Sequence, residues 1–136
     1  MKALIKKVLI LFAVSCVPFS CRNDAADILT GITSKVYCGS GDCMPGIDYS
    51  RRTYTLYSGR VYIVQKIEYD NTANTLEMLK NKSISRIIKN GELAITLKPD
   101  SFVVFVDNVY ESSSAIHVKE NTVIDAPFYF FHCISY

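Results

Sequence analysis

From residue 83 onward, apolar residues alternate with polar ones in short runs separated by turn residues. Ser83 to Lys89, Asn90-Gly91 and Glu92 to Leu97 form the clearest unit. Asn-Gly supplies the two positive φ angles of a type I′ turn, so the pattern predicts a β-hairpin. In its second arm Leu93, Ile95 and Leu97 share one face, which should meet a core. Lys98-Pro99-Asp100-Ser101 reads as a turn, and Phe102 to Val106 as a strand buried on both faces. Short strands are expected at Ala115 to Lys119 and Thr122 to Ile124, and a closing strand at Phe128 to Ile134. Upstream, Thr53 to Tyr57 and Arg60 to Tyr69 flank Ser58-Gly59, either as a second hairpin or as one strand with a bulge. Ile28 to Tyr37, interrupted by Gly31, is a weaker first strand. The one helical candidate is Thr75 to Lys80, with Asn74 as its cap.

About seven strands within about 110 residues, with no long helix, predict an all-β, antiparallel two-sheet sandwich; a small β-barrel is the alternative. The chain has 136 residues, enough for one domain with one core.

The first twenty residues follow a different pattern. Lys2, Lys6 and Lys7 precede an apolar run from Val8 to Phe19, and Ser15 and Ser20 each stand directly before a cysteine. This is the order of a secretory signal, and the run is shorter than the roughly 20 residues of a membrane span. It resembles the lipobox of bacterial lipoproteins, whose cysteine becomes the lipidated first residue of the mature chain. Two positions compete. Cleavage before Cys21 gives an apolar core of normal length and a polar Arg22-Asn23-Asp24 tether, although Pro18 departs from the usual residue. Cys16 has the better preceding residues but a very short core. The reading is therefore a signal peptide over 1–20, lipidation (palmitate) at Cys21 with Cys16 as alternative, a tether over 21–28 and a β-domain over 29–136. Two or more acyl chains on one cysteine hold a domain stably at a membrane. The resemblance implies a bacterial cell-envelope location. The non-acidic Arg22 points to the outer rather than the inner membrane.

Charge changes meaning once the signal is set aside. The formal +2 of the whole chain loses three lysines and no acids on cleavage, leaving a near-neutral domain of −1, which gives no electrostatic footprint for nucleic acid.

The run from Ser85 to Val106 resembles carboxypeptidase-regulatory-like, or prealbumin-like, β-sandwich modules: a polar strand, a turn with Gly, an apolar strand ending in Leu97, a Pro99 turn and an aromatic-led strand. Gly59 to Val64 looks like the preceding strand and Ala115 to Phe130 like the final pair. Asp100-Ser101 stands where the family has Gly, and Asp70 to Lys82 is a longer insertion than expected. The resemblance implies an accessory or adhesive unit without catalytic residues.

The candidate chemistry agrees with that. Cys38, Cys43 and Cys133 are disulfide candidates in an exported chain, Cys38 and Cys43 sitting in a Gly-rich loop. A zinc set with His132 is disfavoured, because adjacent His132 and Cys133 point to opposite faces of a strand. His117 and His132 have no nucleophile elbow to serve, so no catalytic residue, metal or cofactor is assigned. The acids Glu68, Asp70, Asp107 and Glu111 and the basic residues Arg51, Arg52, Lys80, Lys82, Arg86 and Lys89 read as solvated positions. Tyr49, Tyr54, Tyr57 and Tyr62 are the binding candidates, with Tyr69 beside them, since phenols combine large contact area with a polar tip. Phe128 to Phe131 is expected to be buried unless it marks a partner site. The expected function is a non-catalytic binding or structural module, anchored to a membrane through lipid, with an envelope protein or glycan as partner. The alternative is an envelope inhibitor or immunity protein that uses the Cys38 to Ile47 loop as a plug.

Overall fold

The computed structural model describes residues 29–41, 52–107, 109 and 112–134. The signal peptide, Cys16, Cys21, the tether, Cys43, Tyr49, Arg51 and Glu111 lie outside these residues. Along the chain run β1 (Gly31–Gly41), β2 (Thr55–Leu56), β3 (Gly59–Gln65), α1 (Lys66–Tyr69), α2 (Leu76–Lys82), β4 (Ile84–Ile88), β5 (Glu92–Thr96), β6 (Asp100–Val106), β7 (Ser114–Val118), β8 (Val123–Ile124) and β9 (Phe128–Cys133). They form the two-sheet sandwich, without closure into a barrel. No helix among the described residues is long and apolar enough to cross a membrane.

One sheet is built around β1. This strand pairs antiparallel with β2 and β5 and parallel with β8 and β9. The parallel ladders make this sheet mixed, a departure from the antiparallel pattern expected from serial short strands with no long helix. The other sheet is antiparallel throughout, in the order β4-β3-β6-β7.

The expected hairpins are not hairpins. Asn90 (φ 52°) and Gly91 (φ 70°) adopt the positive φ angles of the predicted turn, and Glu92 N donates to Lys89 O at 3.1 Å. Yet β4 pairs with β3 and β5 with β1, so the turn carries the chain from one sheet to the other. Its remaining backbone groups are taken up by neighbours: Gly91 N donates to Tyr57 O at 2.7 Å and Val36 N donates to Gly91 O at 2.8 Å. Ser58-Gly59 is likewise a crossing, from β2 to β3, and Lys98-Pro99 is a third, from β5 to β6.

The core between the sheets contains Ile32, Val36, Val61, Ile63, Leu93, Ile95, Val104, Val106, Phe128 and Phe130. Its two-residue periodicity follows the register, in which Val61 faces Val106 and Ile63 faces Val104. The intervening pairs, Tyr62 with Phe105 and Val64 with Val103, point to the opposite face and form a second cluster closed by Leu79 of α2. Phe102 to Val106 is therefore buried on both faces, as its unbroken apolar run predicts. The insertion over Asp70 to Lys82 supplies that cover. Thr75, one residue later than the expected Asn74, caps α2: its Oγ1 accepts from Met78 N at 3.3 Å. Asn74 instead donates its amide to Glu68 O and Oε2. The chain beyond Gln65 turns into α1 rather than continuing as strand to Tyr69.

Candidate functional site: an aromatic ledge on the β1 sheet

β1 runs through Gly41, four residues into the stretch expected to be a loop. Alternation along it sends Ile32, Ser34, Val36 and Cys38 to the core side and Tyr37, Gly39 and Gly41 to the outer face. The parallel register with β9 sets Tyr129 beside Tyr37 and Phe131 beside Gly39. On the outer face the Tyr37 and Tyr129 rings stack at 5.0 Å and 13°. Tyr54 meets Tyr129 edge-on at 5.2 Å and Phe131 at 5.8 Å. The Arg52 guanidinium lies 4.1 Å from the Phe131 ring centre, a cation–π contact. Leu56, the register partner of Tyr37, extends the row at the β2 end and is exposed.

The glycines make this surface possible. A Cβ on Gly39 would stand 3.1 Å from Phe131 Cδ2 and 2.3 Å from Thr53 O, and one on Gly41 would stand 3.1 Å from Phe131 Cζ. Their small size lets Phe131 lie flat on the strand, so that it is only 7% exposed while Tyr129 beside it is 51% exposed. The result is a contiguous ledge with a fixed base and an open rim. Its rings are already mutually packed, so little side-chain freedom is left in them to lose.

Of the tyrosines singled out from sequence, Tyr54 belongs to the ledge. Tyr57 turns toward the inter-sheet core, its hydroxyl donating to Arg60 O at 3.2 Å. Tyr62 is not a surface residue: at 8% exposure it stacks on Phe105 at 5.2 Å beneath α2. Its hydroxyl donates to Asp107 Oδ2 at 3.3 Å, and burial followed by the Asp107 charge pushes the phenol pKa up. Lys80 Nζ completes this knot, 2.8 Å from Asp107 Oδ1 and 5.5 Å from the Tyr62 ring; the Asp107 hydrogen bond raises its pKa. Tyr69 packs against Phe105, at 6.3 Å. Tyr49 lies outside the described residues.

The charged candidates are mostly paired. Glu68 accepts from Lys82 at 2.5 Å and from Asn74, which lowers its pKa, and Lys66 pairs with Asp70. Arg86 and Lys89 are exposed. His117 sits on β7 with Nδ1 3.0 Å from Ser101 Oγ. A hollow of about 440 Å³ is lined by Cys38, Tyr57, Asp107 and His132 among others. It brings a thiol, an imidazole and a carboxylate to one place, yet burial pushes the Cys38 thiol up to about 11, so that it stays protonated at neutral pH and is a poor nucleophile. No group of three or more His, Cys, Asp or Glu able to hold a metal occurs among the described residues.

The cysteines divide clearly. Cys38 is a free thiol, which removes it from the expected bridge. Cys133 is disulfide-bonded, with its partner outside the described residues. Of the expected plug from Cys38 to Ile47, the first four residues belong to β1 and the rest lies outside the described residues.

Sequence reasoning missed Tyr37 and Tyr129 as a pair. The available signal was local: Tyr129 alternates with Phe128 and Phe130, and Gly39 and Gly41 leave room opposite the aromatic run. Compared with known proteins, the chain matches no family model, no curated protein and no solved structure.

Proposed function

We propose that the chain is a lipid-anchored, non-catalytic recognition module of a bacterial cell envelope, attached through Cys21 and docking a protein partner on the Tyr37–Tyr54–Tyr129–Phe131 ledge. The carrying observation is the ledge itself: four aromatic side chains in mutual contact on one outer sheet face, with a solvent-exposed member at the rim. Aromatic residues of this kind dominate the binding energy of protein interfaces.

The ring geometry favours a protein over a glycan. A sugar stacks on an open ring face. Here Tyr37 and Tyr129 each give one ring face to the other and Tyr54 abuts Tyr129, which leaves less open ring face for a sugar, and Leu56 and Arg52 lie beside them. That mixture of apolar and polar groups suits the side chains of another polypeptide. The near-neutral domain and the raised Cys38 thiol support a binding role over a catalytic one.

The Cys133 bridge fits an exported protein. We assign its partner as Cys43: Gly41 is the register partner of Cys133, and Cys43 follows it by two residues, at most about 7 Å along the chain. The bridge then fastens β1 to β9 at the end of the ledge.

Cells fed radioactive palmitate test the anchor and the docking together. The protein is expected to take up label, Cys21→Ser to lose it, and labelled protein extracted in mild detergent to co-purify with a stoichiometric companion that Tyr129→Ser releases. Label retained by Cys21→Ser moves the lipid to Cys16. No label in any form contradicts the anchor, and a companion retained by Tyr129→Ser contradicts the ledge.

A further inference from the structure

A cavity of about 520 Å³ opens between the sheets where β4 and the β5–β6 crossing diverge, and none of its lining residues belongs to the ledge. This volume is within the range of about 300–1,000 Å³ typical of small-molecule sites. Its inner wall is core: Ile63, Leu97 and Phe102 are all buried. At the mouth stands Ile84, 44% exposed although fully apolar and at the start of an edge strand.

Three charged side chains also line the opening, and two of them are already engaged. Lys82 Nζ lies 2.5 Å from Glu68 Oε2 and 3.1 Å from Asn74 Oδ1. Asp100 accepts from Gln65 Nε2 at 2.9 Å and from Ser101 N at 2.7 Å. Lys98 makes no ion pair among the described residues. Both donors to Asp100 are neutral, so its carboxylate keeps its charge at the lip, and Lys98 is the one cation there without an ion pair among the described residues. The cavity therefore presents an apolar slot with Lys98 as the group able to hold the negative head of a molecule with one apolar tail.

The position of the N-terminal segment narrows the source of such a molecule. Leu97 N, on the cavity wall, donates to Thr30 O at 3.1 Å, and Asn121 N donates to Thr30 Oγ1 at 2.9 Å. The chain thus enters β1 beside the opening. Eight residues, 22–29, separate this point from Cys21, a reach of at most about 32 Å. If Cys21 is held in a bilayer, the opening stays within that distance of the membrane surface.

We propose that this cavity binds a single-chain fatty carboxylate of membrane origin, its carboxylate at Lys98 and its tail passing Ile84 and Leu97 toward Ile63 and Phe102. The choice of a membrane source rests on the anchored reading above, whereas the fit of head and tail does not. Binding desolvates the tail against existing apolar wall, with a charge-assisted hydrogen bond fixing the head.

The test uses the exported chain carrying Cys16→Ser and Cys21→Ser, so that no acyl group of its own competes, titrated calorimetrically with sodium dodecanoate below its micelle concentration and with dodecanol. Saturable one-to-one binding of dodecanoate is expected. Lys98→Glu should weaken dodecanoate at least fivefold and leave dodecanol unchanged; Ile84→Glu should weaken both. Both substitutions are at exposed positions, and unchanged circular dichroism confirms the fold. Absence of saturable binding, or equal affinity in wild type and both variants, overturns the proposal. Dodecanoate binding by a protein that takes up no palmitate in cells would sink the anchor and leave the site standing.

Discussion

Replacing Phe105 by alanine is expected to cost about 3–5 kcal/mol. Phe105 is fully buried on the helix-covered face of β6, stacked on Tyr62 and within 6.3 Å of Tyr69. Among the described residues the second cluster has five buried members, of which Phe105 and Tyr62 are the aromatic pair. Its loss opens a cavity that the β3–β6 ladder prevents from collapsing, because Val61–Val106 and Ile63–Val104 hold the other face of the same two strands. It also removes the bed on which Leu79 rests, so α2 loosens with it. Against a total stability of about 5–15 kcal/mol, this is enough to leave a substantial unfolded fraction under mild denaturant. Urea unfolding followed by circular dichroism checks it, with exposed Ile67→Ala as a control expected to stay within about 0.5 kcal/mol of wild type. A loss below about 1.5 kcal/mol would mean that the face can repack and that α2 is not its cover.

The second large effect is expected on removing the Cys133 bridge. A link between Cys43 and Cys133 closes a loop of about 90 residues, and the chain-entropy relation gives a contribution of about 4.6 kcal/mol. Reduction, or Cys133→Ser, should lower the urea midpoint accordingly and loosen the end of the β1–β9 ladder first, where Gly41 and Cys133 are partners. Cys38→Ala should leave reduction equally costly, since Cys38 carries a free thiol. Peptide mapping under non-reducing conditions should recover Cys43 joined to Cys133. Identical unfolding with and without reductant would show that the ladder needs no fastening.

Much of the strand pattern was legible because alternation is a local property. Leu93, Ile95 and Leu97 are buried together, Phe102 to Val106 is buried on both faces, and β9 lies where the last aromatic run predicts. Strand partnership was not legible. Asn90-Gly91 fixes the backbone of a turn, and the turn forms, but that chemistry does not decide whether its arms pair with each other or with β3 and β1. The decision lies in side chains far away along the chain, which both arms must meet in the core. Gly39 and Gly41 misled for the opposite reason: read locally they suggest a loop, whereas they are strand residues made small by the ring of Phe131. The ledge followed the same rule. Tyr54 could be nominated from its own surroundings, but its value comes from Tyr37 and Tyr129, brought together by a parallel register that no short-range pattern encodes. Tyr62 was an equally good local candidate and is buried because the inserted helix covers it.

The claim that the ledge is a docking surface is tested most directly by placing a photoreactive benzoylphenylalanine at position 129 and irradiating living cells. Position 87, where Ile87 is 69% exposed on β4 of the opposite sheet, serves as the comparison. One discrete adduct of higher mass is expected from position 129, absent from position 87 and abolished when Tyr54→Ala is added. No adduct at position 129, or the same adducts from both positions, would contradict it.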